Sequence, residues 1–184
     1  MIILVYVDDC IIIGDSIARI DVLIHSLMNG SEKFVLTDED TLDKFLGVNI
    51  SKLDDGRYEF AQPFLIERII KFIKMEYPTE LTGRESLTPV GKPLLHKDIE
   101  GKPRKYNWNF RTAVGMIGYL QQSTRPEISM ASHQCARFVN QPMRSHKRAI
   151  IRIICYLKNT KDKGIIFEPD PKLGLECFVD ADFA

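Results

Sequence analysis

The sequence has few cysteines and no long run of apolar residues. Its four cysteines lie far apart, at positions 10, 135, 155 and 177, and form no CxxC pair. This spacing excludes a disulfide-rich scaffold, and the four histidines do not complete a zinc pattern. The apolar stretch Met1–Val7 ends at Asp8 and lacks a basic flank, so it is too short for a membrane span or a signal peptide. We therefore expect an intracellular protein whose cysteines are reduced and mostly buried.

The chain also lacks a net charge, since 25 Lys/Arg balance 25 Asp/Glu. That balance argues against a uniformly basic nucleic-acid binder, but the charges are segregated along the chain. Residues 1–60 carry 12 acidic and 5 basic side chains, whereas residues 101–163 carry 13 basic and 2 acidic ones. This distribution predicts separate surfaces, one suited to metal ions and another to a polyanion.

The hydrophobic pattern predicts an α+β fold. The 184 residues, 45% of them hydrophobic, can bury the core of one domain or slightly more. One β-hairpin is expected around Asp8-Asp9 and a second over Lys44–Phe60, and residues 164–167 and 175–180 are expected to pair as strands. Helices are expected over residues 16–28, 63–74, 109–122 and 126–138, with a further helix capped by Ser145. Residues 78–106 are predicted as a linker, because four prolines and three glycines break any long regular element there.

The Asp8-Asp9 pair is the candidate for chemistry. Two carboxylates at a hairpin tip within an apolar sheet are costly to bury unless a cation compensates them. Divalent metal ions bind carboxylate oxygens readily, and two-metal sites use such groups for phosphoryl transfer. The alternative is a plain polar turn, although such a turn usually includes Gly or Asn. We interpret the adjacent Cys10 as a small residue of the core, not a nucleophile.

Tyr6-Val7-Asp8-Asp9 resembles the YxDD motif of reverse transcriptases. The rest of the chain resembles the copia-type family of LTR retrotransposon Pol polyproteins, in the same order along the chain. The matching segments are Phe45-Leu-Gly-Val48, Gln62-Pro-Phe-Leu-Ile-Glu-Arg-Ile69, Thr88-Pro-Val90, Tyr119-Leu120, Thr124-Arg-Pro-Glu-Ile128, Ala136-Arg-Phe138, Tyr156-Leu-Lys158 and Phe178-Val-Asp-Ala-Asp-Phe183.

The resemblance implies an RNA-directed DNA polymerase that uses two-metal nucleotidyl transfer with Mg²⁺ or Mn²⁺, a template–primer and a deoxynucleoside triphosphate. Asp8 and Asp9 would be catalytic metal ligands, and Tyr6 and Val7 would lie near the primer end. Asp180 would be a metal ligand of an incomplete ribonuclease H-like site.

The same resemblance divides the chain into five regions. Residues 1–62 would be a partial palm with a hairpin, a helix and a primer-grip-like hairpin, and residues 63–77 a thumb-like helix. After the linker 78–106, residues 107–163 would form a basic helical thumb/connection, and residues 164–184 would begin a ribonuclease H-like fold.

Several parts of the parent enzyme are absent from this sequence. The family's first palm aspartate and its fingers should precede residue 1, and both ends of the chain look like interrupted sheets. We therefore expect a piece of a larger protein that is inactive alone. The alternative is a non-catalytic nucleic-acid-binding remnant, or a subunit that another chain completes.

The basic region 101–163 is predicted to bind the phosphates of nucleic acid. The candidate residues are Arg104, Lys105, Arg111, Lys147, Arg148 and Arg152. A solvated helical face is the alternative. Tyr106 and Trp108 could stack on bases, but we favour a role in fixing the linker to the core. For His133 and His146 we expect packing or helix capping.

Overall fold

The computed structural model describes residues 1–31, 33–37, 42–74, 86–102 and 108–168, together with residues 39, 170 and 172. The predicted α+β fold is confirmed by its antiparallel strands and five α-helices. The chain divides into two compact units, residues 1–46 and residues 47–184, which are described separately. Within the described residues, no helix has both the length and the apolar character needed to span a membrane.

The first unit begins with the predicted hairpin. Strands β1 (Ile2–Tyr6) and β2 (Asp9–Ile13) pair antiparallel, with Tyr6 opposite Asp9. Helix α1 (Ile17–Asn29) follows, with the predicted Ser16 as its N-cap residue and its end one residue beyond the prediction, and the short strand β3 (Lys44–Phe45) ends the unit. Every residue of β1 is exposed, as is Cys10. The interpretation of Cys10 as a core residue is therefore wrong, because its side chain lies at the exposed end of this two-stranded sheet, beside the turn.

The second unit contains the second hairpin. We expected one strand over residues 44–52, but Leu46 and Gly47 have positive φ angles of 49° and 75° and interrupt it. An extended strand cannot pass through that conformation. A separate strand, β4, therefore begins after it and covers Val48–Lys52. It pairs antiparallel with β5 (Tyr58–Ala61). The predicted Asp-Asp-Gly turn joins them, with Gly56 at a φ of 87° that suits glycine.

Strand β6 (Ile165–Phe167) joins this same sheet. It pairs antiparallel with β5, and the rings of Phe60 and Phe167 meet edge to face, with centroids 4.7 Å apart. We had expected residues 164–167 to pair with residues 175–180, which lie outside the described part of the chain. A sheet partner supplied from about a hundred residues upstream is a tertiary contact that local pattern does not reveal.

Four helices form the core of the second unit. They are α2 (Pro63–Lys74), α3 (Phe110–Ser123), α4 (Ser129–Ala136) and α5 (Arg144–Asn159). Isoleucines at helical spacing meet at the centre, with Ile66, Ile69, Ile117, Ile150 and Ile153 among the fully buried side chains. Apolar residues that recur every three to four positions produce one buried face on each helix.

Two other helices differ from the prediction in how they begin. The helix expected over 126–138 is a 3-10 turn at Pro126–Ile128 followed by α4, and such tight turns are frequent at helix ends. Ser145 does not cap α5, since it lies inside the helix and its hydroxyl donates a hydrogen bond to Asp98. Met143 is the N-cap residue, and its N–H donates to Nδ1 of His146 at 2.9 Å. The sequence pattern favoured serine because its hydroxyl is a strong cap.

Candidate functional site

The YVDD hairpin places Val7 and Asp8 at its tip. Tyr6 and Asp9 are the last paired residues of β1 and β2, so Val7 and Asp8 form the two-residue turn. Val7 has a φ of 52°, which is rare for a β-branched residue and costs about 1–3 kcal/mol. Both carboxylates are exposed, as are Tyr6 and Val7. Our expectation that the aspartates are buried in an apolar sheet is wrong for this structure, because the tip of the hairpin is exposed to solvent.

A second Asp-Asp pair in the same chain provides a direct comparison. Asp54 and Asp55 lie in the turn between β4 and β5, where Gly56 takes the positive φ angle. Asp55 binds Arg57, with an Oδ2 to Nε distance of 2.8 Å, and this hydrogen bond holds the pKa of Asp55 below its usual value. This pair is an ordinary turn in which Arg57 compensates one of the two carboxylates.

The first Asp-Asp pair differs from the second in both respects. Its turn uses a strained valine where the other turn uses glycine. Within the described residues, neither Asp8 nor Asp9 forms an ion pair or a side-chain hydrogen bond. Two adjacent carboxylates are thus presented to solvent at a constrained tip.

The donor set at this tip is partial. Among the described residues, no group of three or more His, Cys, Asp or Glu side chains is close enough to hold a metal ion. Mg²⁺ requires near-octahedral coordination by oxygen, of which Asp8 and Asp9 would supply only a part. Asp180, the predicted ribonuclease H-like ligand, lies outside the described residues.

One exposed stripe of arginines runs along α5. Arg144, Arg148 and Arg152 recur at intervals of four residues and are all exposed, so they share one helix face. Arg144 was not among the predicted phosphate-binding residues, although its spacing from Arg148 could have identified it. Lys147 was predicted, but it is only 2% exposed and faces the core. It lies about 100° around the helix from Arg148, which is enough to leave the exposed face.

The remaining predicted cations are distributed differently. Arg111 is exposed near the start of α3, and its Nη2 donates to Oδ1 of Asn140 at 2.9 Å. Arg104 and Lys105 lie outside the described residues, as does Tyr106. Trp108 is fully buried and stacks on Phe110, which confirms its predicted role in the core. His146 is confirmed as part of a helix cap, because its Nδ1 accepts the hydrogen bond from the N–H of Met143. Its Nε2 lies 2.9 Å from the carbonyl oxygen of His96.

Arg125 lies in the basic region 101–163, but its side chain is buried. Its side chain is 2% exposed and its Nε is 2.7 Å from Oε1 of Glu127. Nη1 donates to the carbonyl oxygen of Thr160 at 2.9 Å, and Nη2 to the hydroxyl of Thr160 at 2.6 Å. The guanidinium also lies over the Tyr156 ring, 5.7 Å from its centroid. Arg125 therefore connects the segment before α4 to the end of α5.

Cys135 is chemically inert in this arrangement. It is fully buried in α4, and burial raises the pKa of its thiol to about 12. A thiol with such a pKa is protonated at neutral pH, so it is not a nucleophile.

Comparison with known proteins found relatives that match nearly the whole chain. The retrovirus-related Pol polyprotein from transposon RE1 of Arabidopsis thaliana is 28% identical over 182 residues, which is 98% of this chain and 12% of that polyprotein. The corresponding polyprotein from transposon TNT 1-94 of Nicotiana tabacum is 29% identical, over 100% of this chain and 14% of its own length. An uncharacterised mitochondrial protein of Arabidopsis thaliana is 27% identical over 100% of this chain and 72% of that protein. No family model and no solved structure matches the chain.

Proposed function

The chain is related over nearly its whole length to retrovirus-related Pol polyproteins of copia-type transposons, and from this premise we propose that it is part of a reverse transcriptase. It spans only 12–14% of those polyproteins, so a complete activity would depend on further segments. The single observation that most directly supports the proposal is the difference between the two Asp-Asp turns. Only the YVDD turn combines a strained tip with two carboxylates that are unpaired among the described residues.

In this proposal, Asp8 and Asp9 supply part of the oxygen ligands of the polymerase metal site. The bound Mg²⁺ or Mn²⁺ ions would stabilise charge on the attacking and leaving oxygens during nucleotidyl transfer. The role of this chain is to hold the two carboxylates at a fixed position. The antiparallel pairing of Tyr6 with Asp9 and the two-residue turn restrict how far the carboxylates can move. Tyr6 and Val7, exposed beside them, would contact the primer end.

The partial donor set leads to the proposal that this chain does not extend primers alone. Purified chain should give no extension of oligo(dT) on poly(rA) with Mg²⁺ or Mn²⁺, since a two-metal site requires more carboxylates than this hairpin supplies. The measurement is incorporation of labelled thymidine triphosphate by the unmodified chain and by Asp8→Asn. Extension that Asp8→Asn removes would contradict the inactivity and would mean that residues outside the described part complete the site.

The arginine stripe of α5 favours a second candidate function, in which the chain binds nucleic acid without catalysis. Arg144 and Arg148 are exposed on one face of α5 and can each contact a phosphate, and Arg152, whose Nε and Nη2 bind Thr88, adds positive charge beside them. We propose that Arg144, Arg148 and Arg152, with Arg111 on α3, form this surface. Such contacts recognise the backbone and carry little sequence preference.

Salt dependence tests this surface. Each phosphate contact contributes about 0.9 to the slope of log affinity against log salt for duplex DNA. The double variant Arg144→Gln/Arg148→Gln should therefore lower that slope by about 2. The matched control is Lys71→Gln/Lys163→Gln, which removes the same charge from two exposed lysines outside the stripe. Equal slopes for both double variants, measured by fluorescence anisotropy with a labelled duplex, would rule out a specific role for the stripe.

A further inference from the structure

A cavity of about 390 Å³ lies beside the arginine stripe, within the second unit. One wall is the segment from Ser86 to Leu95, and the other is formed by α4 and α5. The segment is fixed to α5 by Arg152, whose Nε donates to the carbonyl oxygen of Thr88 at 3.0 Å and whose Nη2 donates to the Thr88 hydroxyl at 2.9 Å. The cavity is therefore held open by defined bonds between two elements far apart in sequence.

The lining of the cavity combines apolar side chains with positively charged ones. Val90, Leu95 and Ile153 provide apolar surface, while Lys92, Arg148 and Arg152 provide positive charge. No carboxylate and no aromatic ring occurs among the described residues that line it. Arg148 has neither an ion pair nor a hydrogen bond within the described part of the chain, so its charge is available to a ligand. Such a lining fits a ligand with an apolar body and an attached anion.

The cavity is continuous with the proposed phosphate-binding surface, because Arg148 and Arg152 belong to both. A nucleic-acid strand whose phosphates contact this stripe would bring its bases close to the cavity. Paired bases remain stacked inside a duplex, whereas an unpaired base exposes its faces and can enter an apolar site. The volume of the cavity is within the range of sites that hold small organic molecules.

We propose that this cavity receives an unpaired base of a nucleic-acid strand bound along α5. The proposal rests on the nucleic-acid binding proposed above and adds a preference for duplexes with unpaired nucleotides. The base would be held by burial against Val90, Leu95 and Ile153, since no ring is available for stacking. Its phosphate would bind Arg148 and Lys92. Arg152 has a positioning role, because its bonds to Thr88 keep the segment 86–95 in place.

The experiment compares three fluorescently labelled duplexes of the same sequence with the full chain. The first has three-nucleotide adenosine tails at its 5′ and 3′ ends, the second has the same tails with abasic residues, and the third is blunt. The abasic tail keeps every phosphate and removes only the bases. We expect the adenosine-tailed duplex to bind about 5–10-fold more tightly than the abasic-tailed duplex, from burial of one base.

A variant that fills the cavity provides the second measurement. Ala149→Leu adds volume at a residue of the lining and should reduce the ratio of adenosine-tail to abasic-tail affinity to about one. The matched control is Ala18→Leu, the same change at an exposed position of α1, which should keep the ratio of the unmodified chain.

The outcomes separate this proposal from the one on which it rests. Equal affinity of the unmodified chain for all three duplexes, with binding that weakens in salt, overturns the base site and leaves the phosphate surface standing. A tail preference that persists in Ala149→Leu also overturns the base site. Absence of binding to any duplex overturns both proposals. The comparison of tails needs no variant, so it remains decisive if Ala149→Leu does not fold.

Discussion

Primer extension is expected to fall by more than about 100-fold when Asp8 is replaced by Asn within a complete Pol polyprotein, since loss even of outer groups around a metal costs about 10–100-fold. The experiment exchanges the matching segment of a transposon Pol polyprotein for this chain, which places the hairpin beside the remaining segments of that polyprotein. An amide at position 8 is close in shape to the carboxylate but carries no charge. It would weaken metal binding while leaving the hairpin pairing of β1 and β2 in place.

The chain contains its own control for this experiment. Asp54→Asn makes the same chemical change in the other Asp-Asp turn, where no metal role is proposed. That exchange should reduce extension far less than Asp8→Asn does, since Asp54 is an exposed turn residue of the primer-grip-like hairpin and has no proposed role as a metal ligand. Equal losses from Asp8→Asn and Asp54→Asn, or full activity with Asp8→Asn, would refute a catalytic role for the YVDD hairpin. Measured affinity for the template–primer shows whether each exchanged protein has folded.

Loss of the Arg125 guanidinium is expected to lower the free energy of unfolding by about 2–3 kcal/mol. Arg125→Met keeps most of the buried stem and removes the bonds to Glu127 and Thr160. The carbonyl oxygen of Thr160 then loses a charged donor in a partly buried place. Glu127 is 40% exposed, so water can solvate its freed carboxylate and limit the loss.

Urea unfolding followed by circular dichroism measures this change. The matched control is Arg137→Met, which removes a guanidinium from an exposed position near the end of α4. Its expected effect is within about 0.5 kcal/mol, as for most surface substitutions. Similar midpoints for the two variants would contradict the assignment of Arg125 as a buried connection between α4 and α5. A change confined to nucleic-acid affinity would instead assign Arg125 to the binding surface.

For the basic region, the sequence predicted an excess of positive charge but not which side chains are exposed. The excess of 13 basic over 2 acidic residues in 101–163 is a property of composition. It does not state which cations reach solvent, because a helix distributes neighbouring residues around its whole circumference. In the structure, Arg144 is exposed and Lys147 and Arg125 are buried. The candidate surface therefore had to be revised at the level of single residues, while its existence in this region remains the same proposal.

For the YVDD hairpin, the sequence predicted the strands but not the exposure of their side chains. The tip lies at Val7-Asp8, one residue before the expected Asp8-Asp9, but the two strands were predictable because alternation is a local feature. The exposure of its aspartates and of Cys10 was not, since burial depends on what covers a sheet. The YVDD motif thus identified Asp8 and Asp9 as candidate site residues, but our assumption that they are buried was wrong.

By itself, the sequence determined the relationship to copia-type Pol polyproteins and the elements that depend on neighbouring residues. Helix α2 covers the predicted Pro63–Lys74, because proline at the first position and isoleucines at helical spacing act locally. Contacts between residues far apart in the sequence became visible in the folded structure alone. Thr124 reaches Gln62 over 62 residues, Arg125 reaches Thr160 over 35, and β6 pairs with β5. These contacts follow from the packing of whole elements around one core, and no short window of sequence contains that information.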